Sequence, residues 1–298
     1  MSRNKPAPLL AIDAPSLLYR AFFALPKTIT NDAKQPVNAL LGAVNMVLGV
    51  VTQWHPRSVV FCMGPDAADY RVELYPAYHG ERPPVPEELV WQLEEAPSLF
   101  EAFGWRTAFT EDLEADDLLA AYAATERRAG GHALILTGDR DLFQCVSDDV
   151  TVLYMRTGVR GAEVIDPAEV ERRYGVEPNL VPDFIALRGD PSDGLPGARG
   201  VGAKTAAELL RRYGSLEDVI AGALRERSPR LRGALHDDAE LLRTFKEIAT
   251  LRSVKGVRRP PDRATDLARG ARGARARGMN RLADRLEQMS VSASTRQR

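Results

Sequence analysis

The chain has 298 residues, of which 44% are hydrophobic and 27% are charged, and its formal net charge is −1. This size and composition are those of a folded protein with one large domain or two smaller ones. Two cysteines are too few for a disulfide framework, and the apolar runs are too short to span a bilayer. The sequence therefore predicts a cytoplasmic protein without membrane contact.

The first two-thirds of the chain alternates between strand-like and helix-like segments. Short apolar runs predict buried strands at 8–13, 58–63, 133–137 and 150–155. Apolar residues at helical spacing predict helices at about 37–54, 86–103 and 114–129. This alternation predicts an α/β fold in which helices flank a mostly parallel sheet. Because active sites of such sheets form beyond the carboxyl ends of the strands, residues just after each strand are the first functional candidates.

Acidic side chains gather in three short groups beside predicted strand or helix ends. The groups lie within 113–117, 137–141 and 189–193, and Asp13 ends the first predicted strand. Any one group alone is explained by helix capping or by loop acids that face water. Three groups at the ends of consecutive elements favour one shared pocket. The candidate residues are Asp13, Glu114, Asp116, Asp117, Asp139, Asp141, Asp190 and Asp193.

The chemistry of these side chains indicates which ion would bind them. Carboxylates that share a pocket repel one another and raise each other's pKa values unless cations neutralise them. Hard divalent ions bind oxygen ligands of this kind, whereas the histidine and cysteine that zinc prefers are scarce in this chain. The acidic groups therefore predict a site for Mg²⁺ or Mn²⁺.

Residues 69–86 fit neither a helical nor a strand pattern well. The segment combines tyrosine and arginine with four prolines between 76 and 86. Aromatic and basic side chains together suit single-stranded nucleic acid, through base stacking and phosphate contact. A surface loop pinned by prolines explains the same composition equally well, so both interpretations stand at this point.

A glycine-rich turn at 195–205 opens a predicted helix that runs to about Tyr213. Glycines let the backbone approach a phosphate closely, and the free amides of a helix start can bind it. The spacing of a Walker loop is absent, so the turn predicts a hairpin that grips a nucleic-acid backbone. The residues concerned are Gly197, Arg199, Gly200, Gly202, Lys204 and Thr205.

These motifs, in this order, resemble the bacterial 5′-nuclease and flap-endonuclease family, as in the N-terminal domain of DNA polymerase I. The resemblance covers roughly residues 8–252. It implies a PIN-like nuclease domain at 1–177 with a helical arch at about 70–90, and a helical subdomain at 178–255 that completes the active site. A helix–three-turn–helix at 183–213 would bind DNA. The Arg-, Gly- and Ala-rich tail at 256–298 is expected to be partly disordered.

The resemblance also implies functional residues and partners. Arg82, with Arg20 and His79, would polarise the scissile phosphate, and Tyr78 in the arch would contact DNA. Two divalent ions would occupy the acidic pocket, and a potassium ion is expected at the helix–three-turn–helix. The chain looks like a stand-alone monomer that works alongside a DNA polymerase.

Two positions depart from the family pattern. The family's metal-binding Asp normally ends the strand that here reads Val59-Val-Phe61, but this chain continues with Cys62-Met-Gly64. Either Asp66 substitutes from a shifted loop, or the site has one ligand fewer. The family's arch lysine is replaced by His79, which is charged only part of the time near neutral pH.

The sequence thus predicts a metal-dependent 5′-3′ exonuclease or 5′-flap endonuclease that acts on DNA in replication and repair. One alternative is a catalytically weakened DNA-binding protein, which the missing strand-end Asp supports. Another is a PIN-type ribonuclease, but those proteins look much shorter and lack the arch and the glycine-rich hairpin.

Overall fold

The computed structural model describes residues 6–156 and 161–296, with side chains as far as residue 292. The first five residues of the predicted 1–177 domain and the last two of the predicted tail lie outside the described residues. No helix within the described residues is both long and apolar enough to cross a membrane.

Six strands form one sheet in the order β3-β2-β1-β4-β5-β6. All neighbouring pairs are parallel except β5 and β6, which are antiparallel. The strands are β1 (Leu9–Asp13), β2 (Ser58–Met63), β3 (Arg106–Phe109), β4 (Ala133–Thr137), β5 (Val150–Tyr154) and β6 (Glu163–Ile165). Strands β1 and β4 are buried along their whole length, as expected for strands covered on both faces. The predicted mostly parallel α/β sheet is confirmed.

The helices divide into those that cover the sheet, those of a C-terminal helical region, and two terminal helices. The first group is α1 (Ala14–Ala24), α2 (Asn38–Trp54), α3 (Asp69–Leu74), α4 (Glu87–Ala102), α5 (Ala115–Arg128) and α6 (Pro167–Tyr174). The second is α7 (Val181–Arg188), α8 (Ala203–Tyr213), α9 (Leu216–Gly222), α10 (Pro229–His236) and α11 (Ala239–Ala249). The third is α12 (Leu267–Arg275) and α13 (Asn280–Arg296), and short 3-10 helices occupy Asp141–Cys145, Pro178–Leu180 and Ala223–Arg225.

The direction in which successive strands are added to the sheet reverses beside β1. From β1 the chain moves outward to β2 and β3, and then returns to the other side of β1 to form β4 and β5. Loops that leave β1 and β4 therefore diverge and leave a crevice at the carboxyl ends of these strands. Asp13 ends β1, and Asp139 and Asp141 follow β4, so the topology brings Asp13 and the acidic group at 137–141 to one place.

Two apolar clusters pack on the two faces of the sheet. One contains α5 and the helical region around α7 and α8. The other contains α1, α2 and α4 together with α12 and α13. The sheet and the C-terminal helical region therefore share a continuous core, which fixes the 189–193 loop after α7 relative to the strand ends.

The prediction of a partly disordered tail at 256–298 is wrong for the described part of this segment. Two helices form there, and Ala271, Ala274 and Leu286 are fully buried in the second cluster. Gly270 lies against the ring of Phe103, where an added Cβ would come within 2.4 Å of the ring carbons. Small side chains thus let α12 pack closely against Phe103. The Arg-, Gly- and Ala-rich composition that predicted disorder instead permits this close packing.

Candidate functional site

A cleft of about 970 Å³ opens at the carboxyl ends of β1 and β4. Seven of the eight predicted metal ligands line it, together with the alternative ligand Asp66, and Asp117 is the exception. The lining carboxylates are Asp13, Asp66, Glu114, Asp116, Asp139, Asp141, Asp190 and Asp193. Acids from five separate stretches of sequence therefore meet in one cavity.

Hydrogen bonds order the carboxylates that follow β1 and β4. Thr137 Oγ1 donates to Asp13 Oδ2 at 2.7 Å and accepts the backbone N–H of Asp139 at 2.9 Å. The backbone N–H of Asp141 donates to Asp139 Oδ1 at 2.8 Å, and Ser16 N donates to Asp13 Oδ1 at 3.0 Å. These bonds hold the carboxyl groups of Asp13 and Asp139 in place without supplying a cation.

Burial and mutual repulsion raise the pKa values of these acids. Burial, followed by the charge of Asp193, raises the pKa of Asp139 from 3.8 to about 7. Burial and then Asp139 raise the pKa values of Asp116 and Asp141 well above the ordinary range. Burial also raises the pKa of Asp13, although its bond from Thr137 opposes the change. The cleft thus concentrates negative charge that the protein itself does not neutralise.

Glu114 has a different environment, although it lies on the same turn as Asp116. Its carboxylate pairs with buried Arg71 at 2.6 Å and accepts the backbone N–H of Ala68 at 2.9 Å. The hydroxyl of Tyr78 donates to both of its oxygens, at 3.1 and 3.2 Å. Glu114 therefore ties α5 to the segment around α3, and its oxygens already have partners.

Asp117 is a structural acid, because its side chain is 0% exposed. It caps the start of α5 by accepting the N–H of Glu114, and it accepts the N–H of Arg252 at 2.6 Å. Arg71 lies 3.5 Å away and opposes the effect of burial, which raises the pKa of Asp117. Its predicted role as a metal ligand does not fit this position.

Tyr78 is also placed differently from the prediction. Its side chain is buried, and its ring stacks on that of His79 with a centroid separation of 3.9 Å. A buried ring cannot stack on a DNA base. The segment predicted as an arch consists of the six-residue α3, a series of turns over 75–86 and the start of α4. Tyr78 anchors these turns to Glu114.

The 189–193 loop meets these turns through ion pairs. His79 Nε2 lies 3.1 Å from Asp193 Oδ1, and the N–H of His79 donates to the backbone carbonyl of Asp193. Arg82 donates to Asp193 at 3.1 Å and to Asp66 at 3.0 Å. His79 therefore positions Asp193, while half-exposed Arg82 faces the cleft. Asp190 is engaged by Ser192, whose N–H donates to Oδ1 at 2.9 Å.

At the end of β2, where the family has an acid, the buried thiol of Cys62 sits beside Asp13. Burial, with the charges of Asp13 and Asp116, raises its pKa well above the usual value. A Cβ at Gly64 would come within 2.6 Å of the backbone carbonyl of Leu113, so the chain cannot carry an acid there without shifting the start of α5. Asp66 lies in the following loop and pairs with Arg82.

The other predicted phosphate contact, Arg20, lies on α1 beside the loop after β4. A Cβ at Gly138 would come within 2.5 Å of its guanidinium, so Gly138 leaves room for Arg20. Arg20 also lowers the pKa of Asp13 slightly, against the larger effect of burial. It therefore borders the acidic cleft.

The glycine-rich hairpin joins α7 to α8. Gly197 and Gly200 have φ values of 67° and 81°, which favour glycine. A Cβ at Gly197 would come within 2.3 Å of the Gly189 nitrogen, so the hairpin packs directly on the 189–193 loop. Arg199 and Lys204 are exposed, Gly202 is the N-cap residue of α8, and Thr205 is half-buried. The exposed cations face solvent next to the cleft.

The cleft suits hard divalent ions. Its ligand atoms are carboxylate oxygens, and Asp141 Oδ1 is buried without a hydrogen-bond partner among the described residues. Over the same residues, no group of three or more acid, histidine or cysteine side chains already surrounds one point as a metal site. The donors therefore fit such ions in type, although they do not surround one point in this arrangement.

Sequence analysis missed Arg71 as part of this site. The prediction for residues 69–86 did not single it out, yet it is 3% exposed and pairs with two acids. The only available signal was its place in the unusual 69–86 stretch, since the acids it meets lie far away in the sequence.

Known proteins share both the sequence and the fold. A family model described as the 5′-3′ exonuclease N-terminal resolvase-like domain matches residues 8–175, and one described as its C-terminal SAM fold matches 176–264. A 5′-3′ exonuclease of Mycobacterium tuberculosis is 40% identical over 237 residues, covering 73% of this chain and 74% of the relative. Thermostable DNA polymerase I of Thermus thermophilus is 35% identical over 94% of this chain, which spans 32% of the polymerase.

Solved structures show the same fold at lower sequence identity. A T5 5′-exonuclease with bound divalent zinc ions has a TM-score of 0.69 and 18% identity, over 96% of this chain and 98% of that chain. The catalytic core of Rad2 in complex with DNA substrate has a TM-score of 0.63 and 15% identity, over 94% and 90% of the two chains.

Proposed function

Since this chain belongs to the 5′-3′ exonuclease family, we propose that it hydrolyses DNA phosphodiesters at a free 5′ end or a 5′ flap, with divalent metal ions as cofactors. The observation that carries this proposal is the set of buried acids around Asp139, whose pKa is raised to about 7. Such a charge cluster is costly to the fold, and cation binding would offset that cost.

Two Mg²⁺ or Mn²⁺ ions are the proposed cofactors. When bound, they would activate water and stabilise negative charge on the phosphate. Asp13, Asp116, Asp139 and Asp141 are the proposed ligands of one site, because all four line the cleft and burial raises the pKa of each. Asp190 and Asp193 would complete the second site from the loop after α7.

The chain's own cations would orient the phosphate. Arg82 lines the cleft, and its guanidinium can exchange a carboxylate for a phosphate of similar geometry. Arg20 would contribute from α1. His79 acts through Asp193 in this proposal, because its ring is buried and bonded to that carboxylate. It is therefore a positioning residue and does not contact the phosphate itself.

The hairpin would hold duplex DNA beside the cleft. Exposed Arg199 and Lys204, with the backbone of Gly200 and Gly202, would contact phosphates without reading base sequence. A potassium ion at this helix–three-turn–helix belongs to the same proposal. We further propose a nuclease domain at 1–177, a DNA-binding subdomain at 178–255, a monomeric state, and cooperation with a DNA polymerase in replication and repair.

One observation favours a second candidate, a catalytically weakened DNA-binding protein. A neutral thiol, Cys62, occupies the end of β2, where the family has a metal-binding acid. The acids at the ends of β1, β4 and α7 and at the start of α5 argue for activity. Without counting Glu114 and Asp66, six carboxylates still reach the cleft.

Cleavage of a labelled 5′-flap DNA, measured with Mg²⁺, with Mn²⁺ and with chelator, separates these functions. The proposal expects cleavage that requires metal and depends on a 5′ end. Binding without cleavage in either metal would favour the weakened protein. Faster cleavage of a matched RNA would instead indicate a ribonuclease.

A further inference from the structure

A second cleft, of about 310 Å³, lies at the opposite end of the sheet from the acidic cavity. It forms where β3 begins and where the chain between α11 and α12 crosses the sheet edge. The lining residues are Glu101, Trp105, Arg106, Thr107, Arg263 and Arg269. Arg269 lies on α12, beyond the residues matched by the family models, so this chain's C-terminal helices complete the cleft.

Three arginines line this small space. Arg106, Arg263 and Arg269 are exposed, and none of them forms an ion pair within the described residues. Glu101 shares the cleft, but its carboxylate pairs with none of them. Some other arginines near the C-terminus do pair with a carboxylate, as Arg259 does with Glu126 at 3.0 Å. The second cleft therefore has a local excess of positive charge.

The floor of the cleft also holds a polar atom without a partner. Thr107 Oγ1 is buried and has no hydrogen bond among the described residues. A buried hydroxyl without a partner is costly, and a hydrogen bond to a ligand in the cleft would remove that cost. The Trp105 indole is not free for this purpose, because its Nε1 donates to Thr265 Oγ1 at 2.9 Å.

We propose that this cleft binds the phosphate group of a nucleoside monophosphate. Arginine forks match the oxygens of a phosphate, and Thr107 supplies a further hydrogen bond. The cavity volume is at the small end of ligand sites, which suits a mononucleotide. Glu101 is placed to accept a hydrogen bond from a sugar hydroxyl or a base amino group. The site lies apart from the acidic cleft, whose negative charge repels phosphate when no metal is present.

Calorimetric titration of the full chain with dAMP tests this proposal, in chelator and at low salt, with deoxyadenosine as the uncharged comparison. We expect one dAMP per chain and no binding of deoxyadenosine. Arg263→Ala and Arg269→Ala should each weaken dAMP about tenfold, since each removes a charge-assisted contact. Arg272→Ala is the matched control, because Arg272 is exposed on the same helix but does not line the cleft.

Equal thermal midpoints for the variants and the parent would establish that the fold is intact. Absence of dAMP binding at millimolar concentration would overturn the proposal, as would unchanged affinity in the Arg263→Ala, Arg269→Ala double variant. A short DNA duplex provides the other source of phosphate. If the double variant weakens the duplex but not dAMP, the nucleotide assignment is wrong and the cleft contacts a DNA backbone.

Discussion

The acids around Arg71 and the acids of the cleft lie a few residues apart in the chain but have opposite electrostatic surroundings. Glu114 and Asp117 share one buried arginine and several N–H donors, so their charge is balanced inside the protein. Asp116 and Asp139 both line the cleft, and burial with repulsion from neighbouring acids raises their pKa values. The charge of the first group is therefore balanced within the protein, and the second group is where the proposed metal ions would offset the charge.

The difference follows from helix geometry. Asp116 and Asp117 are neighbours at the start of α5, and successive helical residues point about 100° apart. Asp116 therefore reaches the cleft, while Asp117 points into the protein towards Arg71. An acidic motif in a sequence does not reveal which of its members bind metal. That depends on which acids are already paired with cations from elements that are distant in the sequence.

Substitution of the cleft acids is expected to have the largest effect, which is a loss of DNA cleavage. Asp116→Asn together with Asp139→Asn should lower the single-turnover rate on 5′-flap DNA in Mg²⁺ by at least about 10³-fold, because both lose metal-binding charge. The same double variant should unfold at a higher temperature than the parent in chelator, since repulsion is relieved. Full turnover would show that the metal site lies elsewhere.

Removing the cation that Glu114 and Asp117 share should lower the stability of the fold, whereas removing charge from the cleft acids should raise it. Arg71→Ala leaves Glu114 and Asp117 buried without their cation, and this should lower the free energy of unfolding by about 3–5 kcal/mol. Urea denaturation measures the loss. Arg127→Ala, at an exposed position on α5, is the control and should change stability by less than about 0.5 kcal/mol. A loss no larger than that of the control would mean that Arg71 does not balance these acids.

The metal-free protein should become more stable as the pH falls from about 7 towards 5. The pKa of Asp139 is raised from 3.8 to about 7 by folding, so the folded state binds more protons in this window. This group alone contributes a slope of about 1.4 kcal/mol per pH unit, and its stabilisation is lost as the pH rises through 7. Thermal unfolding in chelator measures the slope, which Asp139→Asn should flatten. A parent protein that loses stability over this range would contradict the assignment.

The smallest effect should come from the hairpin, outside both acid groups. Lys204→Ala removes one exposed cation and should lower the salt dependence of duplex affinity by about one unit of slope, equally for unrelated sequences. Glu208→Ala, an exposed change on the same helix, should not reduce the slope. Loss of affinity for some sequences but not others would indicate base recognition.

Sequence reasoning succeeded where the pattern is local. The long apolar runs of β1 and β4 and the helical spacing of α2, α4 and α5 predicted those elements to within one or two residues. It missed β3, which is four residues long and mostly half-exposed. It also missed the packing of α12 and α13. A small residue such as Gly270 favours close packing only because an aromatic ring lies against it, and the sequence does not show which ring that is. The sequence predicted the acids of the site as one set. Which of them are neutralised inside the protein depends on Arg71, and the sequence does not show its contacts.

Binding of Mn²⁺ to the chain, measured by calorimetry in two buffers of different ionisation enthalpy, tests the central claim most directly. Because burial and repulsion raise the pKa of Asp139 to about 7 without metal, binding should release protons, and the parent should take up two ions. Asp116→Asn with Asp139→Asn should abolish at least one site. Binding without proton release, or the same stoichiometry in the double variant, would contradict the claim that these uncompensated acids form the metal site.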